Sequence, residues 1–331
     1  MVSWNQVNGE MQQRRTADNK MDTDGYRREK YSELQQYTER PLIVYATDFL
    51  NRAKVQACKG DVQIDLNDKD GFNEVIRNIE SKTVDILLHS PGGLPEATDS
   101  LVEIVRSKFR HIRFIIPSVA KSAATMFALS GNKLLMERNA ELGPIDPQFN
   151  FVKSDGSSTY APAQAIIDQF EKAQEIVQED RNKLIAWMPI LQQYGPALYQ
   201  QCKDAIELSK RYVEEWTKKW MFRKRKNKDS LSKELVDYLG DHNLFKSHSA
   251  RIGVKELRAK RVRVDIINKD EQLYDRVMRV YYSIVVTFQT TGAYKIFENS
   301  RGDALIRLIK TIPMQVPPVQ RPRQPQQGAQ G

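Results

Sequence analysis

The chain has 331 residues, of which 40% are hydrophobic, and a formal net charge of +9 from 51 Lys and Arg against 42 Asp and Glu. That length allows one large domain or two smaller ones. No apolar run has the length of a membrane span, and the polar start MVSWNQVNGE lacks the apolar stretch of a secretory signal, so we expect a cytoplasmic protein. Two cysteines and four histidines without metal-ligand spacing predict no metal site, and we expect no cofactor.

Strands alternate with helices in the first part of the chain. Residues 1–40 are polar and charged, and we expect them to be a frayed arm or an oligomer contact. The hydrophobic pattern then predicts strands at 41–49, 62–66, 84–88, 112–118 and 133–136, and helices at 70–82, 95–109 and 122–130. This alternation is typical of parallel βαβ units.

Longer helices follow in the second part. The pattern predicts a helix at 161–188 closed by Pro189, another opened by Pro196, the histidine-bearing loop DHNLFKSHSARIG, a strand VRVDII and a helix near 271–289. The last residues are rich in Pro and Gln and predict disorder. We divide the chain into a polar arm at 1–40, a main domain at 41–265, a C-terminal helical extension at 266–311 and a disordered tail at 312–331.

Three loops follow neighbouring predicted strands and carry chemically informative residues. SPGG follows strand 84–88, SVAKS follows strand 112–118, and ELGPID follows strand 133–136. Ligands bind at the carboxyl edge of an open parallel sheet, where the three loops converge. We therefore expect the functional site there.

Each loop also has a structural explanation. Ser122 opens a helix, where it is either an N-cap or a nucleophile in the positive field of the helix end. Pro-Gly-Gly is either a tight turn or a loop that presents an amide to a ligand, and Asp146 is either a turn residue or the acid that orients a base. Acyl transfer needs a nucleophile, a base and two oxyanion donors, and the amides of Gly93 and Ala123 are placed to be those donors.

The motifs together resemble a known family. LLHSPGG, AKSAATMFALSGN and ELGPIDPQF are similar to Clp-type peptidases and most similar to the serine dehydrogenase proteinase family, which is related to ClpP and to signal peptide peptidase A. The similarity covers roughly residues 40–265. It implies an α/β fold of the ClpP/crotonase-like superfold, with stacked βαβ units, a parallel sheet and long C-terminal helices.

The resemblance also implies a function. It implies a serine endopeptidase that cleaves polypeptides through an acyl-enzyme on Ser122, with an oxyanion hole formed by Gly93 and Ala123. The substrate loop would be Ser90, Pro91 and Gly92, and the protein would be a homo-oligomer.

The general base departs from the ClpP pattern. ClpP carries a histidine soon after the serine, whereas ERNAELGPIDPQ has none. The serine dehydrogenase proteinase order of Ser, Asp and His implies Ser122, Asp146 and His248. His242 and a lysine such as Lys153 stay open as alternatives, and we expect Lys121 to point away from the serine.

Two other functions stay open. A crotonase-like enzyme acting on acyl-thioesters would share the superfold without needing a nucleophilic serine. A non-catalytic Clp-fold scaffold or nucleic-acid-binding protein would use basic runs such as RKRKNK at Arg223–Lys228.

Overall fold

The protein is described here from a computed structural model that defines residues 2–152, 158–192 and 194–309. The predicted disordered tail at 312–331 lies outside these residues.

A mostly parallel sheet forms the centre of the described structure. It has seven strands, in the sheet order β11 (Ala304–Leu308), β10 (Ala293–Asn299), β1 (Leu42–Thr47), β2 (Thr83–His89), β3 (His111–Ile116), β5 (Lys133–Met136) and β9 (Val264–Ile266). The five strands from β1 to β9 are parallel, while β10 and β11 add to the β1 edge in antiparallel pairing. The predicted α/β fold with parallel βαβ units is confirmed.

Helices cover both faces of this sheet. Those in the described residues are α1 (Trp4–Gln13), α2 (Thr23–Thr38), α3 (Arg52–Ala57), α4 (Asp68–Ile76), α5 (Pro95–Lys108), α6 (Ala123–Leu129), α7 (Ala163–Glu179), α8 (Leu184–Leu191), α9 (Leu198–Trp216), α10 (Lys228–Leu239), α11 (His242–Phe245), α12 (Val254–Ala259) and α13 (Glu271–Thr290). Residues of β1 alternate between two cores: Ile43 and Tyr45 pack with α4, α5 and α6, and Leu42 and Val44 pack with α2 and α13. Burial on both faces explains why LIVYAT reads as one continuous apolar run.

The N-terminal segment differs from a frayed arm. Helix α2 packs along α13, and Tyr31 and Leu34 of α2 are fully buried. The buried Arg27 guanidinium donates to both carboxylate oxygens of Glu298 on β10, at 2.9 and 2.8 Å. The charge of Arg27, which makes this segment look solvent-exposed, is therefore satisfied inside the fold.

Two predicted elements also differ from the structure. Residues 62–66 form no strand and make a single parallel bridge, from Ile64 to Gly93. The helix predicted at 161–188 is broken at Asp180, whose backbone is extended, and Pro189 lies inside α8 rather than after it. Ile185, four residues before that proline, is 77% exposed, so the carbonyl that loses its helical partner lies beside solvent.

A second, smaller set of pairings sits at the carboxyl edge of the main sheet. Strands β4 (Val119–Ala120) and β6 (Glu141–Leu142) pair in parallel, and isolated bridges extend this ladder to Ser90 on one side and Ile252 on the other. We call these four paired segments the edge ladder. A separate hairpin, β7 (Gln148–Val152) and β8 (Ser158–Pro162), leads from the ladder into α7. Of the helices within the described ranges, none combines the length and the apolarity that crossing a membrane requires.

Candidate active site

Ser122 lies two residues after the end of β4 and immediately before α6, in a strained backbone conformation. Its φ and ψ are 51° and −124°, in a region that non-glycine residues rarely adopt. The side chain makes no capping hydrogen bond, so the N-cap interpretation does not describe this serine. The residue is half-buried, and strain of this kind at a strand-to-helix turn is the way that α/β-hydrolases present a nucleophile.

The SPGG loop lies against the serine. A Cβ added to Gly92, whose φ is +95°, would lie 2.5 Å from the Lys121 carbonyl oxygen and 2.8 Å from the Ser122 Cβ. On the other side, the Ile64 N–H donates to the Gly92 carbonyl and the Leu94 N–H donates to the Ile64 carbonyl. This pairing turns the Gly93 N–H away from Ile64.

Two backbone amides at this point are free to donate. Among the described residues, the N–H groups of Gly93 and Ala123 have no hydrogen-bond acceptor. Ala123 is the first residue of α6, where backbone amides have no partner within the helix. These are the two amides that the sequence predicts as oxyanion donors.

Asp146 holds both candidate histidines. Its carboxylate is 3% exposed, and Oδ1 lies 2.7 Å from Nδ1 of His248 while Oδ2 lies 3.2 Å from Nδ1 of His242. Gln148 donates from Nε2 to the same Oδ2 at 3.3 Å. A carboxylate on Nδ1 orients an imidazole so that Nε2 is free to act as a base, and His248 has the shorter of the two contacts.

No hydrogen bond joins the Ser122 hydroxyl to either imidazole within the described part of the chain. Catalytic hydrogen bonds are often long before substrate binds and tighten in the complex. The lysine alternative Lys153 lies outside the described residues.

The Lys121 ammonium contacts the ELGPID loop and the histidine-bearing loop. It lies 3.1 Å from the Leu142 carbonyl and 3.1 Å from the Ala250 carbonyl. It also forms an ion pair with Glu141 at 3.0 Å. The residue beside the candidate nucleophile Ser122 therefore contacts the segment that leads to Asp146 and the segment that follows His248.

Thr125 makes a second link between the loops. Its buried hydroxyl donates to the Ala120 carbonyl and accepts from the Gly143 N–H, both at 2.9 Å. Sequence reasoning gave neither Lys121 nor Thr125 a role in placing these loops. The available signal was a single hydroxyl inside the otherwise apolar helix AATMFAL.

His89 lies at the end of β2, next to Ser90. The ring is buried between Phe49 and Tyr281, with centroid distances of 4.9 and 5.3 Å. Burial lowers the pKa of His89 to about 4, although a hydrogen bond to the Val119 backbone opposes the shift. The neutral imidazole contributes to the floor beneath the SPGG loop.

Comparison with known sequences identifies the family. The profile of the ClpP-like SDH-type serine proteinases matches residues 62–296, which is more than half of the chain. The chain belongs to the ClpP-like SDH-type serine proteinases. The predicted family and the predicted Clp-like fold class are confirmed, and the chain is a member of a serine peptidase family.

Two curated relatives match parts of this ClpP-like proteinase. Uncharacterized protein MJ0137 of Methanocaldococcus jannaschii is 30% identical over 157 residues, which are 44% of this chain and 52% of that protein. Uncharacterized protein MJ1495 of the same organism is 26% identical over 136 residues, 40% of this chain and 44% of that protein. The chain thus spans about half the length of the curated relatives it matches.

Solved structures that resemble the chain include two variants of a 1510-N membrane-bound stomatin-specific protease. One, in complex with a substrate peptide, aligns with a TM-score of 0.38 and 17% identity over 65% of this chain and 75% of that chain. The other aligns with a TM-score of 0.37 and 15% identity over 63% of this chain and 79% of that chain.

Proposed function

We propose that the protein is a serine endopeptidase that cleaves polypeptides through an acyl-enzyme on Ser122. One observation carries this proposal. A strained, half-buried, uncapped serine at a helix start lies on the same sheet edge as a buried carboxylate that holds imidazoles. A purely structural serine at this position would be expected to cap α6 instead.

The proposed reaction uses each loop in one role. His248 takes the proton from the Ser122 hydroxyl as the oxygen attacks the peptide carbonyl, and Asp146 stabilises the imidazolium that forms. The N–H groups of Gly93 and Ala123 donate to the oxyanion, and His248 then returns the proton to the leaving amine. Water, deprotonated by the same imidazole, hydrolyses the acyl-enzyme.

We assign the substrate-binding loop to Ser90, Pro91 and Gly92. Ser90 lies in the edge ladder, and its hydroxyl accepts from the Gly92 N–H at 3.2 Å. The loop is therefore fixed from both ends, which suits a strand-like peptide laid beside it.

Covalent labelling tests the nucleophile. We expect a fluorophosphonate to label the wild-type protein and not Ser122→Ala, and casein hydrolysis to disappear in the same variant. Ser130→Ala, at the other end of α6, is the matched control and should keep both activities. Equal casein hydrolysis by wild type and Ser122→Ala would refute the proposal; coenzyme A binding without labelling would favour the acyl-thioester enzyme.

The identity of the base needs its own comparison. We expect His248→Ala to lower the labelling rate by roughly 10³-fold or more, whereas His242→Ala should cost much less because His242 has the longer contact to Asp146. The reverse order would transfer the role of the base to His242. Equal, near-wild-type rates in both would transfer the role of the base to a lysine. A wild-type protein that is not labelled at all would favour a non-catalytic scaffold, for which salt-sensitive retention on nucleic acid through Arg223–Lys228 is the next assay.

We further propose that the protein is a homo-oligomer in the cytoplasm. Helix α8 exposes Leu184, Ile185 and Met188, an apolar set suited to a contact between copies. Cys58 and Cys202 are both free, as is usual in a reducing compartment. Analytical ultracentrifugation of wild type and Ile185→Glu tests the oligomer, and a purely monomeric wild-type protein would contradict it.

The domain division belongs to the proposal as well. We propose that residues 41–265 carry the peptidase site, while residues 266–311 complete its scaffold through α13 and the strands β10 and β11.

A further inference from the structure

The side chain of Lys121 lies between the ELGPID loop and the histidine-bearing loop. It is 13% exposed, and its stem passes Gly143, where an added Cβ would lie 2.7 Å from the Lys121 Cδ. A larger residue at that position would block the path of the lysine. The ammonium therefore reaches its partners through a space that the backbone leaves open.

The ammonium gathers acceptors from two distant parts of the chain. It donates to the carbonyls of Leu142 and Ala250, both at 3.1 Å, with the Ser249 carbonyl at 3.5 Å. Glu141 balances its charge at 3.0 Å and is also approached by Arg251, at 3.6 Å. A lysine ammonium has three donors, and these contacts use them on backbone and carboxylate oxygens.

These acceptors flank the proposed catalytic residues. Leu142 precedes the turn that carries Asp146, Ser249 and Ala250 come directly after His248, and Lys121 itself is covalently next to Ser122. Besides the contacts of His242 and His248 with Asp146, the loop has little regular pairing: Ser249 is exposed, and pairing with the ladder begins only at Ile252. One cation thus connects the three segments whose relative placement sets the distance from the serine to the base.

We propose that Lys121 is a positioning residue that holds the His248 loop against the nucleophile. This proposal rests on the proposed function. Lys121 is not assigned as the base, because its ammonium is engaged by Glu141 and by the carbonyls of Leu142 and Ala250. Lys121 affects catalysis by fixing the position of His248. A misplacement of a catalytic group by about 1 Å costs roughly 10²-fold in rate.

Lys121→Met tests the proposal, because methionine keeps an unbranched side chain beside Gly143 and removes the ammonium donors. We expect faster amide hydrogen exchange in residues 247–252 and a fluorophosphonate labelling rate lowered by roughly 10- to 100-fold. The pH at which labelling reaches half its maximum should stay unchanged, since the titrating base is still present. Lys121→Arg, which keeps a cation with several donors, should recover most of the rate.

The control variant is Lys133→Met, which removes the ammonium of a surface ion pair, that with Asp265, at the amino end of β5. It should leave exchange in 247–252 and labelling unchanged. If Lys121→Met melts below the assay temperature, Lys121→Gln gives the same readouts with one weaker donor group retained.

The outcomes separate this inference from the peptidase assignment. Hydrogen exchange reports on the loop whether or not the protein is a peptidase. If the wild-type protein is not labelled but residues 247–252 exchange faster in Lys121→Met, the proposed function alone is refuted. Unchanged exchange in residues 247–252 would refute the proposal that Lys121 holds the His248 loop. Faster exchange with unchanged labelling would show that the Lys121 contacts do not position the base. Loss of labelling to the level of Ser122→Ala, with a changed pH profile, would make Lys121 a catalytic residue instead. Either result overturns the proposal.

Discussion

Replacing Gly92 by alanine should damage activity more than its cost in stability suggests. At φ +95°, an L-residue loses about 1–2 kcal/mol relative to its preferred backbone region. The new Cβ also lies 2.5 Å from a backbone oxygen and 2.8 Å from the Ala123 nitrogen, and overpacking of this kind costs about 1–3 kcal/mol. The sum is a loss of about 2–5 kcal/mol in the free energy of unfolding.

The fold offers a matched control for this change. Gly302 has nearly the same φ, +99°, but no atom lies within 4 Å of its added Cβ. Gly302→Ala should therefore lose only about 1–2 kcal/mol and keep full activity. In Gly92→Ala the loop must move away from the serine, and we expect the fluorophosphonate labelling rate to fall by roughly 10²-fold.

Urea unfolding and labelling kinetics, measured on both variants, decide the matter. Similar losses of stability in the two variants would mean that the contact between the loop and the serine turn is not tight. An unchanged labelling rate in Gly92→Ala would mean that the place of the loop does not matter for attack on the serine.

Two further predictions concern the buried polar groups near this edge. Lys295 and Asp68 are both fully buried and lie 2.7 Å apart, so Lys295→Met should lose about 3–5 kcal/mol of unfolding free energy by removing the buried cation that pairs with this carboxylate. Lys133→Met at the surface should lose less than about 1 kcal/mol, and equal losses in urea titrations would contradict this prediction. Burial lowers the pKa of His89 to about 4, from the 6.5 of an unperturbed imidazole, so the unfolded chain protonates this imidazole at a higher pH than the folded chain does. The free energy of unfolding therefore falls as pH drops from 6.5 towards 4. His89→Phe should remove about 2–3 kcal/mol of the difference in unfolding free energy between pH 7.5 and pH 4.5, and an identical difference in both proteins would show that His89 does not titrate in this way.

The sequence predicts the parallel core well because its signals are local. The strands β2, β3 and β5 are short apolar runs, each followed by a turn and an amphipathic or small-residue helix, and both features lie within a few residues of each other. The order of these strands in the sheet brings three loops to one edge. The candidate serine, its loop and the acid could therefore be named without coordinates.

The strand β10 was missed for a physical reason. AYKIFEN contains Lys295 and Glu298, which suggest an exposed segment, yet all seven of its residues are buried. Their partners, Asp68 and Arg27, lie more than two hundred residues away along the chain. A charge pattern is informative only when the partner is known, and a distant partner leaves no trace in the neighbouring sequence.

The choice between two histidines has the same origin. His242 and His248 occur in one loop, and nothing in their spacing decides which ring lies closer to the carboxylate; the contacts of 3.2 and 2.7 Å to Asp146 arise from the folded loop. Since that loop returns to the site only after the long helices α7, α9 and α10, its chain neighbours contribute little to its placement. The pairing of Leu142 with Ile252 and the ammonium of Lys121 supply that placement instead. A peptidase of this fold that takes its histidine from so far along the chain needs such cross-links between loops, because the serine turn alone fixes only the nucleophile.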